Sequence, residues 1–308
     1  MGFRSLVSFG FLILPIAVTL SVLLGLQAFR ESRGMPPPFV SHAIEMATYC
    51  QRAFGIHPPT QGLEYTLNPN QWGIEEDYNG PGGLCMNVST FANATYPTNT
   101  TAPEWSITWS FPPGPPTQPV HAFPNIKLDS ANTFPVQISK VSVIDFATEW
   151  HYGIGDDKPN NTNLNDLLSV DLNSNVAIDM FLDADPTKAT SSSNAKYEVM
   201  VWFAVFGPAT EPIGLRQGSL KTETVNGTTF DLYTGVNGVG QSVLSWVAQG
   251  TVQEFEGDLG PLLQGLTGLG GPTTDDYLGY LSFGSEALSA SSNVTFWNSD
   301  LRLQILTT

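Results

Sequence analysis

The sequence predicts an all-β protein built as a single sandwich with one helix, and three features point there. From about residue 48 to 308, short apolar runs alternate with clusters of turn residues. Glycine (29) and proline (23) are abundant among the 308 residues, which is high for a helical protein and ordinary for strands and turns. No heptads and no longer repeats break the pattern, so this span fits one β-sandwich.

Taken in order, the strands expected are Trp105–Trp109, Val136–Phe146, Asn175–Leu182, Tyr197–Phe206, Thr229–Tyr233, Ser242–Ala248 and Tyr277–Phe283. Each is rich in β-branched or aromatic residues. Turn clusters separate them at Phe111–Pro119, Asn173–Asn175, Thr190–Asn194 and Val225–Gly227. The helix is expected after Asp258 as N-cap, where Leu259, Leu262, Leu263 and Leu266 recur at helical spacing.

Ahead of the sandwich lies a different kind of segment. Leu6 to Phe29 runs without a charge, longer than a signal-peptide core of roughly 7–15 residues and long enough to span a bilayer. Residues 1–30 therefore read as a cleaved signal peptide or a type II signal anchor. Arg4 on one side and Arg30 and Arg33 on the other do not choose between them. Residues 31–47, with the proline-rich Glu31–Val40, read as a stalk or linker, and 48–308 as the folded domain. Export agrees with six Asn-x-Ser/Thr sites, at Asn87, Asn93, Asn99, Asn160, Asn226 and Asn293, expected to carry glycans on exposed loops. Cys50 and Cys85 suit one disulfide in an oxidising compartment, the alternative being two unlinked buried thiols.

With 12 Lys+Arg against 28 Asp+Glu and a net charge of −16, the chain lacks the basic surface that nucleic acid requires. Its four histidines (His42, His57, His121, His151) form no His-Glu-x-x-His and no metal-ligand spacing. No Gly-x-Ser-x-Gly elbow or phosphate-binding glycine loop occurs. No metal or cofactor is expected, and carboxylates remain as the reactive groups.

Three of them sit in apolar runs, where a carboxylate is costly without a purpose. In Tyr197–Phe203, alternation puts Glu198, Met200 and Trp202 on one face and Tyr197, Val199, Val201 and Phe203 on the other. An acid, a thioether and an indole make a floor against which a pyranose ring can stack. Asp179 lies in Val176–Leu182, and Glu286 follows Tyr280–Ser285 with small same-face neighbours, Ser282 and Gly284. For each acid a solvated or backbone-satisfied structural role stands as the alternative. Two glutamates and a supporting acid are also what retaining glycoside hydrolysis uses.

At these residues the chain resembles glycoside hydrolase family 12. Tyr65–Gly73 is similar to the family's Asn-x-Trp-Gly segment, with Cys50 before it and Cys85 after. Asn175–Phe181 resembles the strand of the assisting aspartate, Tyr197–Trp202 the nucleophile strand, and Pro212–Gly214 the loop crossing the cleft. Ser242–Ala248, Glu256–Leu259 and Phe283–Leu288 are similar to the segments that follow, the last bearing the acid/base. The resemblance implies two antiparallel sheets in a concanavalin-like jelly roll with an open concave cleft, hence endo-cleavage. It implies Glu198 as nucleophile, Glu286 as general acid/base and Asp179 as partner to the nucleophile. Trp72 would stack a glucosyl ring, Asn70 would bind beside it, and Met200, Trp202 and Pro212 would line the cleft. Ser285 stands where the family more often has Thr, and Leu288 where an aromatic is usual. Phe111–Pro119 and the glycine-rich tract after Leu263 look remodelled, which leaves the preferred glucan open.

The expected function is therefore a retaining endo-β-1,4-glucanase acting on a plant β-glucan, whether cellulose, xyloglucan or mixed-linkage glucan. It would work as a monomer, secreted or held to a membrane through residues 6–29, with an acidic pH optimum bounded by Glu198 and Glu286. A xylanase of the related jelly-roll family and a non-catalytic glucan-binding wall protein are the alternatives.

Overall fold

The computed structural model describes residues 3–32, 44–52, 55–58, 63–75, 78–91, 102–129 and 133–308, apart from the side chains of residues 3–13, 31, 32 and 91. The expected leader is helical: α1 (Phe3–Ser32) is a 30-residue helix. Its apolar side chains, among them Leu14, Val22, Leu24 and Phe29, are exposed. Taken over the described residues alone, no helix is long and apolar enough to cross a membrane.

Sixteen strands follow among the described residues. They are β1 (Ile44–Tyr49), β2 (Tyr65–Asn68), β3 (Gly83–Phe91), β4 (Trp105–Ser110), β5 (Asn125–Leu128), β6 (Val136–Gln137), β7 (Val141–Ile154) and β8 (Asn173–Asp183). The second half contributes β9 (Tyr197–Phe206), β10 (Lys221–Val225), β11 (Thr228–Val236), β12 (Ser242–Ala248), β13 (Glu254–Asp258), β14 (Tyr277–Gly284), β15 (Ala287–Ser289) and β16 (Val294–Thr307). One sheet runs β1-β3-β4-β16-β7-β13. The other runs β10-β11-β12-β9-β8-β14-β5-β2, with β15 and β6 pairing β8 and β14.

The core fills the space between the sheets. Phe146 lies 5.2 Å, ring centre to ring centre, from both Phe203 and Phe283, tying β7 of one sheet to β9 and β14 of the other. Burying each such ring stabilises the fold by about 1.5–3 kcal/mol. Cys50 and Cys85 form the expected disulfide, which closes a separation of 35 residues beside β3.

The structure departs from the sequence reading in several places, among them the turn expected at Asn173–Asn175, which forms the start of β8 instead. The span Val136–Phe146 is not one strand, because the turn Ile138–Lys140 interrupts it. There the chain leaves β6, paired with β14, and enters β7 in the opposite sheet. One pair, β9 with β12, is parallel. The connection 207–220 carries the chain back so that β10 starts in the direction of β9, and the antiparallel steps β10–β11 and β11–β12 leave β12 running the same way. The helix α4 spans only Gly260–Gln264 and Leu259 is its cap, although the Asp258 carboxylate still accepts from Gly260 N at 2.8 Å. All four leucines of the pattern are buried, but glycines at 265 and 268 turn the chain out of the helix. Two short helices, α2 (Leu164–Ser169) and α3 (Pro186–Ala189), add to the one expected, capped by Asn163 and Asp185. Finally, β1 claims the last four residues of the expected 31–47 linker by pairing with β3 from Ile44 onward.

Of the six glycosylation sequons, Asn160, Asn226 and Asn293 lie in exposed turns or loops, as expected. Asn87 instead sits within β3, half-buried, accepting from Thr48 Oγ1 at 2.7 Å. Asn93 and Asn99, and most of the Glu31–Val40 stalk, fall outside the described residues.

Candidate active site

The alternation read from β9 holds in space. Tyr197, Val199, Val201 and Phe203 enter the core between the sheets. Met200 and Trp202 form a separate apolar cluster with Ala177 and Val247 on the opposite face of the sheet. Trp202 Nε1 reaches Met200 Sδ at 3.3 Å, which sets the indole against the thioether. Glu198 shares this outward face.

Register brings the acids together. On β8, Asp179 is opposite Met200 of β9 and Ser282 of β14, while Glu198 is opposite Phe181. Asp179 and Glu198 are therefore diagonal neighbours on one face, at the centre of the sheet. Glu286 arrives from the other side. The β14 ladder ends at Gly284, where an added Cβ would stand 2.2 Å from Pro124 O, and β15 begins at Ala287. Between them Asn175 takes over: its Oδ1 accepts from Glu286 N at 3.1 Å and its Nδ2 donates to the Glu286 carboxylate.

Burial and mutual charge separate the three acids. Burial raises Glu286 to about 7, the charge of Glu198 pushes the same way, and the Asn175 bond opposes both. Burial also raises Glu198, but Asn237 Nδ2 donates to its Oε2 at 2.9 Å and favours the ionised form. Asn237 is itself fixed: its Oδ1 accepts from Gln241 N at 2.9 Å, and the same Nδ2 lies 2.8 Å from Gln241 Oε1. Asp179 is raised well above its ordinary value, first by burial, then by the charges of Glu198 and Glu286. Its Oδ1 is buried without a hydrogen-bond partner. A neutral Asp179, an anionic Glu198 and a protonated Glu286 is the arrangement these environments favour.

The flanks lie toward opposite edges of the sheet. On the β2 side, Asn70 adopts a left-handed backbone (φ 41°) and donates from Nδ2 to Phe123 O at 3.1 Å. Gln71 is buried, and its amide reaches Cys50 O (3.3 Å) and Gln51 O (3.1 Å), so the disulfide region braces this turn. Trp72 is left 51% exposed, a free ring at the rim. On the β11 side, Gly214 (φ 95°) lies so close that an added Cβ would sit 2.0 Å from Thr234 O. Pro212 is buried in this loop, and the residue it presents outward is Ile213.

Asn175, Asn237 and Gln241 are the site residues that sequence reasoning missed. Asn175 carried a signal, standing four residues before Asp179 in the same strand. Among the described residues no group of acids, histidines or cysteines is placed to hold a metal ion.

A model of glycosyl hydrolase family 12 matches residues 63–302. The xyloglucan-specific endo-beta-1,4-glucanase A of Aspergillus niger is 31% identical over 228 residues, 74% of this chain and 80% of that protein. A probable xyloglucan-specific endo-beta-1,4-glucanase A of Neosartorya fischeri is 32% identical over 246 residues, 80% of this chain and 87% of that one. Among solved structures, Trichoderma harzianum endoglucanase 3 superposes with a TM-score of 0.66 at 24% identity, over 85% of this chain and 98% of that one. Humicola grisea Cel12A with a thio cellotetraose gives 0.65 at 24% identity, over 84% and 99%.

Proposed function

The chain belongs to glycosyl hydrolase family 12, and we propose that it is a retaining endo-β-1,4-glucanase whose substrate is xyloglucan. The observation that carries the mechanism is the pairing of Glu198 and Glu286 in one buried patch, with Asn237 favouring the charged form of one and Glu198 itself favouring the neutral form of the other. The Glu198 carboxylate attacks the anomeric carbon while Glu286 protonates the departing glycosidic oxygen. This gives a glycosyl ester on Glu198 and frees the reducing-side chain. Glu286, now ionised, takes a proton from water, whose oxygen attacks the same carbon and releases Glu198. Neutral Asp179 adds no second negative charge beside the nucleophile.

Trp72 and Asn70 bind sugar on one side, Met200 and Trp202 form the floor, and the Pro212–Gly214 loop bounds the other side, with Ile213 as its exposed contact. The choice of xyloglucan is supported by the specificity in the names of the relatives from A. niger and N. fischeri. The enzyme acts outside the cell as a monomer. The exposed apolar side chains of α1 suit a signal peptide or an anchor, and N-terminal sequencing of exported protein distinguishes the two.

The test is reducing-end release from xyloglucan beside carboxymethyl cellulose, with wild type and Glu198→Ala. Release that is greater on xyloglucan and absent in the variant is expected. Xyloglucan left intact while cellulose is cut would overturn the substrate. Folded protein that binds glucan without cutting it would leave a binding module.

A further inference from the structure

Beneath Glu286, between the two sheets, lies a polar cluster for which the hydrolytic steps above have no use. Trp109 Nε1 donates to the Tyr152 hydroxyl at 2.7 Å. That hydroxyl is 3.2 Å from Ser174 Oγ and 3.4 Å from Ser285 Oγ, and the two serine oxygens are 2.9 Å apart. Ser174 Oγ donates to Glu286 O, and Ser285 Oγ to Asn175 O, each at 2.6 Å. Counting one proton per hydroxyl, a directed chain runs from Trp109 through Tyr152 and Ser174 to the Glu286 carbonyl.

All four side chains are fully buried, at 1% exposure or less. Polar groups in such a place incur a desolvation cost that an apolar core avoids, and here every hydroxyl is matched. Their location is specific. Ser285 and Glu286 occupy the gap between the end of β14 and the start of β15. The cluster grips this gap from the core side, while Asn175 holds Glu286 from the opposite side. Trp109 and Tyr152 belong to β4 and β7, so the grip reaches across from the far sheet.

We propose that Tyr152, acting through Ser174 and Ser285, is a positioning residue that fixes the backbone of Glu286 from the interior and thereby sets the acid/base step. The proposal rests on Glu286 being the general acid/base. Displacing a catalytic group by about an ångström is enough to cost up to ~100-fold in rate. The loss should fall on reactions that need acid help and spare those that do not.

The experiment compares Tyr152→Phe, Ser174→Ala and wild type, as full chains, on two substrates. One is xyloglucan, a poor leaving group; the other is a dinitrophenyl β-cello-oligoside, whose phenolate departs without a proton. With both variants, kcat/KM should fall about tenfold or more on xyloglucan and by less than about twofold on the aryl glycoside. The upper limb of the pH profile should move down as Glu286 relaxes toward water. Equal losses on the two substrates with the limb unmoved, or no loss on either, would overturn the proposal. If Tyr152→Phe fails to fold because the Trp109 N–H is left unpaired, Ser174→Ala decides, since it keeps the Trp109–Tyr152 bond. Glu286→Gln is the reference. Should it lose both substrates equally, the assignment of Glu286 fails, rather than the role of the cluster.

Discussion

Replacing Glu286 with glutamine should flatten the dependence of stability on pH. In the folded protein this carboxyl is raised from 4.5 to about 7, by burial first and by the charge of Glu198 second, against the pull of the Asn175 amide. In the unfolded chain it titrates at its ordinary value. The folded state thus holds the proton more tightly, so the group's contribution is complete below pH 4.5 and is lost as pH rises to about 7. At ~1.4 kcal/mol per pH unit, the loss across that window is about 3 kcal/mol. Glutamine cannot ionise, yet its Oε1 still accepts from Asn175, so the variant keeps the local bonding without the titration. Urea unfolding of both proteins, at about pH 4.5 and about pH 7.5, gives two changes in stability, and their difference cancels the slope contributed by the remaining acids. Wild type should lose about 3 kcal/mol more than the variant over this interval. Parallel losses, within about 0.5 kcal/mol of each other, would refute the claim that Glu286 is buried and held protonated.

Other perturbations follow from the same site. Asn237→Ala removes the donor that favours ionised Glu198, so the lower limb of the kcat/KM profile should rise by about one pH unit. Asp179 is held neutral, so Asp179→Asn should keep activity within about tenfold of wild type, and Asp179→Ala should lose more; steady-state kinetics compare them. Trp72→Ala should raise KM about tenfold with kcat little changed if the exposed ring, as proposed, stacks on sugar away from the bond being broken. Cys85→Ser opens a 35-residue separation and should lower unfolding free energy by about 3–4 kcal/mol, measured by urea titration.

What the sequence made legible was local. Strand β9 matches its expected bounds because the apolar run Tyr197–Phe206 ends in turn residues at both sides. The acids were legible for the same reason: Glu198 and Asp179 interrupt apolar runs whose period assigns them a face. The helical spacing of the four leucines after Asp258 was legible and all four are buried, although a helix of only five residues forms there. What stayed hidden depends on pairings distant in the chain. Asn237 reads as a simple Asn-Gly turn. It reaches Glu198 only because β12 inserts parallel to β9 and sets Val243 opposite Glu198. The single strand expected over Val136–Phe146 fails because periodicity says nothing about which sheet a segment joins, and here the chain changes sheets. Tyr152 looks like one more core aromatic until Trp109, Ser174 and Ser285 converge on its hydroxyl.

The central claim is that Glu198 and Glu286 act by double displacement, and the stereochemistry of the product tests it most directly. Proton NMR of xyloglucan digests, recorded before mutarotation equilibrates the new reducing ends, reports which anomer forms first. The account predicts the β-anomer, the configuration of the bond that was cut. The α-anomer appearing first would mean a single displacement by water, and Glu198 would not be the nucleophile.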